Sequence, residues 1–153
     1  MHEDISSVSA TDYDRLVEVW ELSVRATHDF VADEDIEIFR PIVRKVLPTL
    51  DLACIRDAQG VAIGYIALAD GNIEMLFIHP DWRGKGFGRN LIRYAIDKRG
   101  ATLVDVNEQN TRALEFYLHM GFEVVSRSEL DSVGKPYPIL HMRLAPVKGH
   151  QEP

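Results

Sequence analysis

The chain has 153 residues, of which 46% are hydrophobic and 27% are charged, as in an ordinary soluble globular domain. Its 24 acidic and 17 basic residues give a formal net charge of −7, which argues against nucleic acid as the main partner. No apolar run reaches the ~18 residues of a membrane span, and the first residues lack the basic and apolar regions of a secretion signal. We therefore expect a cytoplasmic protein with no membrane partner, with one domain over residues 1–147 and a flexible tail over 148–153.

The only cysteine, Cys54, lies in an apolar run and has no second cysteine with which to form an internal disulfide. We expect it to be a buried structural thiol. No His-Glu-x-x-His motif and no paired cysteines occur, so the sequence predicts no metal site.

Two helices are predicted in the first third of the chain. Thr11 followed by Asp14 is typical of a helix start, and apolar residues then recur at helical spacing over 12–26. Three acidic residues at 33–35 begin a second helix, which Pro41 is expected to split or kink. Its predicted inner face consists of Ile36, Phe39, Val43 and Leu47.

Three strands follow, and the short polar turns between them predict an antiparallel meander. The strands are predicted at Leu50–Arg56, Val61–Leu68 and Ile73–Ile78.

A glycine-rich basic turn follows the third strand, and residues 88–99 then have helical periodicity. Gly84, Gly86 and Gly88 can adopt positive φ and expose backbone N–H groups, while the helix directs its own unpaired N–H groups and positive dipole end to the same place. Strand, turn and helix together predict a phosphate site. The pattern is neither Gly-x-x-x-x-Gly-Lys-Ser/Thr nor Gly-x-Gly-x-x-Gly.

The rest of the chain predicts a fourth strand at 102–106, a helix that ends at Gly121, and two closing strands at 122–129 and 139–144. Asn110 is a candidate N-cap for the helix. The loop over 131–138 has two interpretations, a lid on a substrate site or a simple β-turn.

Two motifs in this order resemble the GNAT superfamily of N-acetyltransferases. Arg83-x-x-Gly86-x-Gly88, between a strand and a helix, is similar to that superfamily's coenzyme A pyrophosphate loop, and residues 107–122 are similar to its second cofactor-facing segment. The order of elements follows the GNAT fold along nearly the whole chain. Residues 20–28 and 134–138 look like those of small stand-alone bacterial acetyltransferases.

The resemblance implies an α/β (α+β) GNAT fold. Its central sheet is mixed, with an antiparallel N-terminal meander, a splayed pair of parallel strands and helices on both faces. It also implies acetyl-CoA as cofactor and transfer of the acetyl group to a primary amine. The residues implied in cofactor binding are Leu76, Phe77, Ile78, Arg83, Gly84, Lys85, Gly86, Phe87, Gly88, Arg89, Asn107, Asn110, Ala113 and Tyr117.

For catalysis, the resemblance makes Tyr117 the candidate proton donor to the departing thiolate, because a phenol is protonated at neutral pH. The alternative is that Tyr117 belongs to the core. Glu74 is the favoured general base because strict alternation along its strand would put it on the side of Leu76. His28, His79 and a water relay are the rivals.

The sequence says least about the acceptor substrate and the residues that bind it. Residues 24–30 form either a wall of the acceptor pocket or a plain helix end. The substrate candidates are Trp20, Arg25, His28, Glu74 and Tyr137. A small-molecule amine is the leading expectation, because the 131–138 loop is long enough for a lid. The alternatives are a peptide or protein N-acetyltransferase and a non-catalytic acyl-CoA sensor. Dimers are common in families that this chain resembles, so a homodimer is one expectation for its assembly.

Overall fold

The computed structural model describes residues 4–27 and 29–146. The chain divides into two compact units, Met1–Ala101 and Thr102–Pro153. The expected tail and His28 lie outside the described residues, and the expectation of a single domain stays a prediction. No helix in the described ranges is long and apolar enough to cross a membrane.

In the first unit, four antiparallel strands pair in chain order, and three of them are the predicted meander. The additional strand pairs with the first strand of the meander through Ser6 and Cys54. It is only three residues long, too short to show the alternation from which strands are predicted. The strands are β1 (Ile5–Ser7), β2 (Asp51–Arg56), β3 (Ala62–Ala69) and β4 (Asn72–Ile78).

The same unit holds α1 (Tyr13–Thr27), α2 (Asp33–Val46) and α3 (Phe87–Arg99). The apolar faces of α1 and α2 form one core cluster with Cys54 and Tyr65 of the sheet. The prediction of a buried thiol is confirmed, since Cys54 is fully buried and burial raises the pKa of its thiol. The predicted inner face of α2 is also confirmed, since each of its residues belongs to this cluster or packs against it.

The start of α1 differs from the prediction. A 3-10 turn over Ala10–Asp12 precedes it, and Ser9, not Thr11, begins that turn. The Ser9 backbone N–H donates to Asp12 Oδ2 at 2.9 Å, and Asp12 also binds the Arg56 guanidinium at 2.9 and 3.0 Å. Asp12 therefore ties this turn to β2, a tertiary contact that the local sequence does not show.

The predicted split at Pro41 does not occur, because α2 runs unbroken from Asp33 to Val46. Pro41 lacks the N–H that would bind the carbonyl four residues earlier. Pro41 is exposed and lies outside the inner face of α2, whose packing on the core outweighs the missing hydrogen bond.

The second unit holds β5 (Leu103–Asn107), α4 (Thr111–His119), β6 (Phe122–Ser128) and β7 (Ile139–Leu144), which confirms these predicted elements. β7 pairs antiparallel with both β5 and β6, and α4 packs against β5 and β6. One face of β5 and β7 is buried, and its residues are Val104, Val106, Leu140 and Met142. The residues between them on β5 and β7 belong to the other face, which is considerably more exposed.

Candidate functional site

The glycine turn leads from β4 to α3 through a 3-10 turn over Pro80–Trp82. Gly84 and Gly86 have φ of +75° and +86°, and no atom lies within 4 Å of the position where a Cβ would stand on either. Gly88 lies in the first turn of α3, so two of the three glycines adopt the positive φ that the sequence allows. The backbone of the turn is therefore open to a ligand.

The N-terminus of α3 begins at Gly86, and no side chain caps it. Its first turn contains no acidic residue. Asn90 is the first residue whose N–H binds within the helix, to the Gly86 carbonyl at 3.0 Å. The preceding helical N–H groups, those of Phe87, Gly88 and Arg89, have no acceptor within the helix. This arrangement fits an anionic group such as a pyrophosphate.

The side chain of Arg83 binds α1. Its guanidinium donates to the carbonyl and to the hydroxyl oxygen of Ser23 on α1, each at 3.3 Å, and Ser23 is buried. Its backbone N–H lies 3.4 Å from the Pro80 carbonyl. The sequence suggests Arg83 as a phosphate ligand, whereas in the structure its side chain anchors the turn to α1. Ser23 is a small polar residue on the inner face of α1, and the sequence does not show that Arg83 is its partner.

Lys85 and Arg89 are the basic residues that point to solvent at this turn. Within the described part of the chain, neither of them forms an ion pair. Their charges are therefore available to an anion beside the α3 N-terminus.

The predicted pantetheine edge, Leu76 to Ile78, lies in β4 and pairs with β3 along one side. Glu74 belongs to the same strand, but a β-bulge interrupts the pairing of β4 with β3 at Glu74. Leu68 pairs with Ile73 and Ala67 with Met75, so Glu74 has no partner on β3. The uninterrupted alternation that was expected to align Glu74 with Leu76 is absent. Glu74 is exposed and accepts a hydrogen bond from Asn72 Nδ2 at 2.6 Å.

In the second unit, Asn110 caps α4 as predicted. Its Oδ1 accepts the Ala113 N–H at 3.1 Å, and Asn107 Oδ1 accepts the Gln109 N–H at 2.9 Å. Both amide oxygens and the Ala113 N–H are thus used within the turn that starts the helix.

Tyr117 is buried on α4, between the edges of two other aromatic rings. Its ring centroid lies 5.2 Å from that of Phe116 and 5.6 Å from that of Phe122. Burial raises the pKa of the phenol, so the hydroxyl keeps its proton at neutral pH. Its hydroxyl makes no hydrogen bond to any of the residues that the structure describes. A buried hydroxyl without a protein partner costs free energy and calls for an explanation.

The substrate candidates of the first unit have structural contacts. Trp20 is buried in the helical core. Arg25 binds Glu21 at 2.9 Å and Asp33 at 3.0 Å, which ties the end of α1 to the start of α2. These contacts favour the plain helix end over a pocket wall for this residue. His79, a rival base, uses its Nδ1 to accept the Asp81 N–H at 3.1 Å.

In the second unit, Tyr137 is buried at the end of the loop between β6 and β7. Asp131 closes this loop, because its Oδ1 accepts the N–H groups of Val133 at 3.0 Å and of Lys135 at 2.8 Å. The loop is a compact turn held by its own hydrogen bonds. This geometry favours the β-turn interpretation over a lid.

Known proteins resemble the chain along most of its length. The family model described as an acetyltransferase (GNAT) domain matches residues 51–124. The peptidyl-lysine N-acetyltransferase YjaB of Salmonella typhimurium is 39% identical over 129 residues, which cover 84% of this chain and 89% of that protein. YjaB of Escherichia coli is 40% identical over 84% of this chain and 88% of its own length.

Solved structures agree with these relatives. The solution structure of apo-form YjaB from Escherichia coli has a TM-score of 0.85 at 36% identity and covers 94% of this chain and 97% of its own. The PaiA N-acetyltransferase of Thermoplasma acidophilum, solved with coenzyme A, shares the fold at 21% identity, with a TM-score of 0.66 and coverage of 90% and 96%. The predicted α/β fold class is confirmed, and the chain belongs to the GNAT family of acetyltransferases.

Proposed function

We propose that this protein transfers the acetyl group of acetyl-CoA to the side-chain amine of a lysine in a peptide or protein. The observation that carries the proposal is the 39% identity, over 84% of the chain, to a protein named peptidyl-lysine N-acetyltransferase. These relatives do not support the small-molecule amine that the sequence favoured. That expectation depended on a lid at 131–138, and Asp131 closes this segment into a turn of its own.

As a GNAT acetyltransferase, the chain uses acetyl-CoA, which supplies an acetyl thioester. The pyrophosphate is assigned to the open backbone at Gly84 and Gly86 and to the N–H groups that begin α3, because a bulky anion fits where no Cβ and no capping side chain stand. Lys85 and Arg89 add positive charge there. Arg83 keeps the turn in place through Ser23.

The resemblance to the GNAT superfamily assigns the backbone of β4 to binding the rest of the cofactor. Leu76, Phe77 and Ile78 are expected to hydrogen-bond the pantetheine arm, and an N–H of Leu76 or Phe77 to stabilise the oxyanion that develops from the thioester carbonyl. Side-chain amides of Asn107 and Asn110 are candidates for the same arm. The Asn110 oxygen caps α4 and the Asn107 oxygen accepts the Gln109 N–H, and the NH₂ groups of both residues are candidates for that contact.

Tyr117 is assigned as the donor of a proton to the leaving thiolate. Its pKa is raised by burial, so the phenol is in the protonated form that this role requires. A ligand atom would also provide the partner that its hydroxyl lacks among the described protein groups.

The acceptor lysine has to lose a proton before it attacks, because an alkylammonium of pKa ~10 has no lone pair at pH 7. Glu74 is exposed and ionisable and stays the favoured base, acting directly or through water. The β-bulge at Glu74 makes the water relay the stronger of these two routes, because the carboxylate is not in the alternation that leads to Leu76.

A comparison of three acceptors tests the proposal. One peptide carries a lysine and blocked termini, a second carries arginine instead of that lysine, and the third acceptor is a free polyamine. We expect release of the CoA thiol and a mass gain of one acetyl group with the lysine peptide alone. Faster turnover of the polyamine would overturn the peptide assignment. A melting temperature raised by acetyl-CoA would show in either case that the donor site is intact.

The homodimer is a separate proposal that depends on the resemblance alone. Light scattering after size-exclusion chromatography would test it, and a monomer mass would contradict it.

A further inference from the structure

Three polar side chains form a hydrogen-bonded chain across all three strands of the second unit. Asp105 of β5 lies opposite His141 of β7 in register, and Asp105 Oδ1 is 2.7 Å from His141 Nδ1. His141 Nε2 is in turn 2.7 Å from the hydroxyl oxygen of Ser128, the last residue of β6. The cluster therefore has the order carboxylate, imidazole, hydroxyl.

The carboxylate determines which nitrogen of the ring carries the proton. Asp105, when ionised, only accepts hydrogen bonds, so His141 Nδ1 must be the donor. In the neutral imidazole this leaves a lone pair on Nε2, and the Ser128 hydroxyl donates to it. A serine in this position can lose its proton to the imidazole as it attacks an electrophile.

The cluster is accessible to a reactant. The His141 side chain is 34% exposed and that of Asp105 is 48% exposed, on the open face of the strands. Hydrogen bonds of this kind near water contribute little to stability. Ser126 lies directly opposite His141 in register, yet it is Ser128 that reaches the imidazole.

We propose that Ser128 is a nucleophile of a second reactive site, which accepts acyl groups from activated carboxylic esters. Ser128 Oγ attacks the ester carbonyl while His141 Nε2 takes the hydroxyl proton. The bond from the carbonyl carbon to the leaving oxygen then breaks, and His141 returns the proton to that oxygen. The products are an acylated serine and an alcohol or phenol, and water releases the acid by the same steps.

This site is independent of the proposed transfer from acetyl-CoA, since it uses none of the residues assigned to that reaction. General-base assistance contributes ~10²–10⁴-fold to such reactions. Because Asp105 is exposed, we expect a rate enhancement at the lower end of this range. Ser128 should react about 100-fold faster than a serine without an imidazole partner.

The test uses the whole protein with p-nitrophenyl acetate and, separately, with a fluorophosphonate probe. We expect a burst of p-nitrophenolate and an adduct that peptide mass spectrometry maps to Ser128. Ser128→Ala and His141→Gln should remove the adduct, and Asp105→Asn should slow its formation. Ser126→Ala is the matched control on the same strand and should label like the wild type.

An adduct at lysines or at Ser126 with none at Ser128 in the wild-type protein would overturn the proposal. So would a labelling rate of Ser128 that His141→Gln leaves unchanged in a variant with the wild-type melting curve. The mapping on the wild-type chain decides the question even if a variant fails to fold. Acetyl transfer from acetyl-CoA should be the same in Ser128→Ala and in the wild type.

Discussion

The N-termini of α3 and α4 follow strands in the same way but end differently. At α4, Asn110 accepts the Ala113 N–H with its own side chain, so the protein itself satisfies part of the helix end. At α3, Gly86 provides no side chain, and the first turn carries no acid. Basic residues lie beside it instead, at Lys85 and Arg89. One helix end is closed and the other is left open.

The other described α-helices follow the closed pattern. A capping box of Ser9 and Asp12 begins the turn that leads into α1, and three acidic residues occupy the first turn of α2. Either device complements the positive end of a helix dipole. Of the α-helices that the structure describes, α3 alone has neither a capping side chain nor an acid in its first turn. A ligand anion is the missing complement, and this contrast predicts different results for substitutions at the two ends.

The largest expected effect is that of Gly86→Val on binding of acetyl-CoA. The new side chain enters the space assigned to the phosphates, and loss of two hydrogen bonds to a charged group, each worth ~1.5–3 kcal/mol, should raise the Kd at least ~100-fold. Isothermal titration calorimetry with acetyl-CoA measures this.

Gly60→Val is the matched control, because Gly60 has a φ of +84° and equally open surroundings in the turn between β2 and β3. It imposes the same backbone strain as Gly86→Val, away from the phosphate turn. A Kd for Gly86→Val equal to that of Gly60→Val would show that the α3 end is not the phosphate site.

The second largest effect concerns catalysis, to which α4 contributes through the side chain of Tyr117. Tyr117→Phe should lower kcat by roughly 30-fold while the Kd for acetyl-CoA stays the same, because only the proton donor is lost. This is below the usual ~10²–10⁴-fold for general acids, since a thiolate is already a good leaving group.

Tyr65→Phe is the control for Tyr117→Phe. Tyr65 is equally buried, and burial also raises its pKa, but its hydroxyl has a partner, Met75 Sδ at 3.8 Å. Tyr65→Phe should leave kcat unchanged. If both variants lowered kcat alike, packing and not proton donation would explain the effect.

These contrasts also show how far the sequence leads. The glycine turn, the Asn110 cap and the apolar faces of the helices could be predicted, because each depends on residues close together in the chain. Tertiary contacts could not. The partner of Arg83 is Ser23, 60 residues earlier, and the bulge at Glu74 appears only in the pairing of β3 with β4.

The same limit applies to local signals that compete. Thr11 and Ser9 are both plausible starts for the first helix, and Asp12, held by Arg56 of β2, stabilises the earlier one. Pro41 is a strong helix breaker in isolation, but packing of the α2 inner face on the core outweighs one missing hydrogen bond.

A smaller effect is expected at the closed end. Asn110→Ala should lower the free energy of unfolding by ~1 kcal/mol, the usual value of an N-cap, and leave the Kd for acetyl-CoA within about twofold, since RT ln 2 is only ~0.4 kcal/mol. Asn110→Asp keeps an accepting oxygen and should retain most of the stability. Urea unfolding and calorimetry measure the two quantities. A loss of affinity that Asn110→Asp fails to restore would instead indicate that the NH₂ group contacts the cofactor.

The smallest effect separates the two basic residues that lie before α3. Lys85 is exposed, so Lys85→Ala should raise the Kd for acetyl-CoA only ~3-fold, in the range of exposed charge pairs. The difference from the wild type should shrink as salt is added, because exposed charges are screened.

Arg83 holds the turn to α1 through Ser23, so Arg83→Ala should lower the melting temperature and weaken binding with little dependence on salt. If the effect of Arg83→Ala on the Kd fell with salt as that of Lys85→Ala does, the Arg83 guanidinium would contact the phosphates in the complex, and its bond to Ser23 would belong to the free protein only.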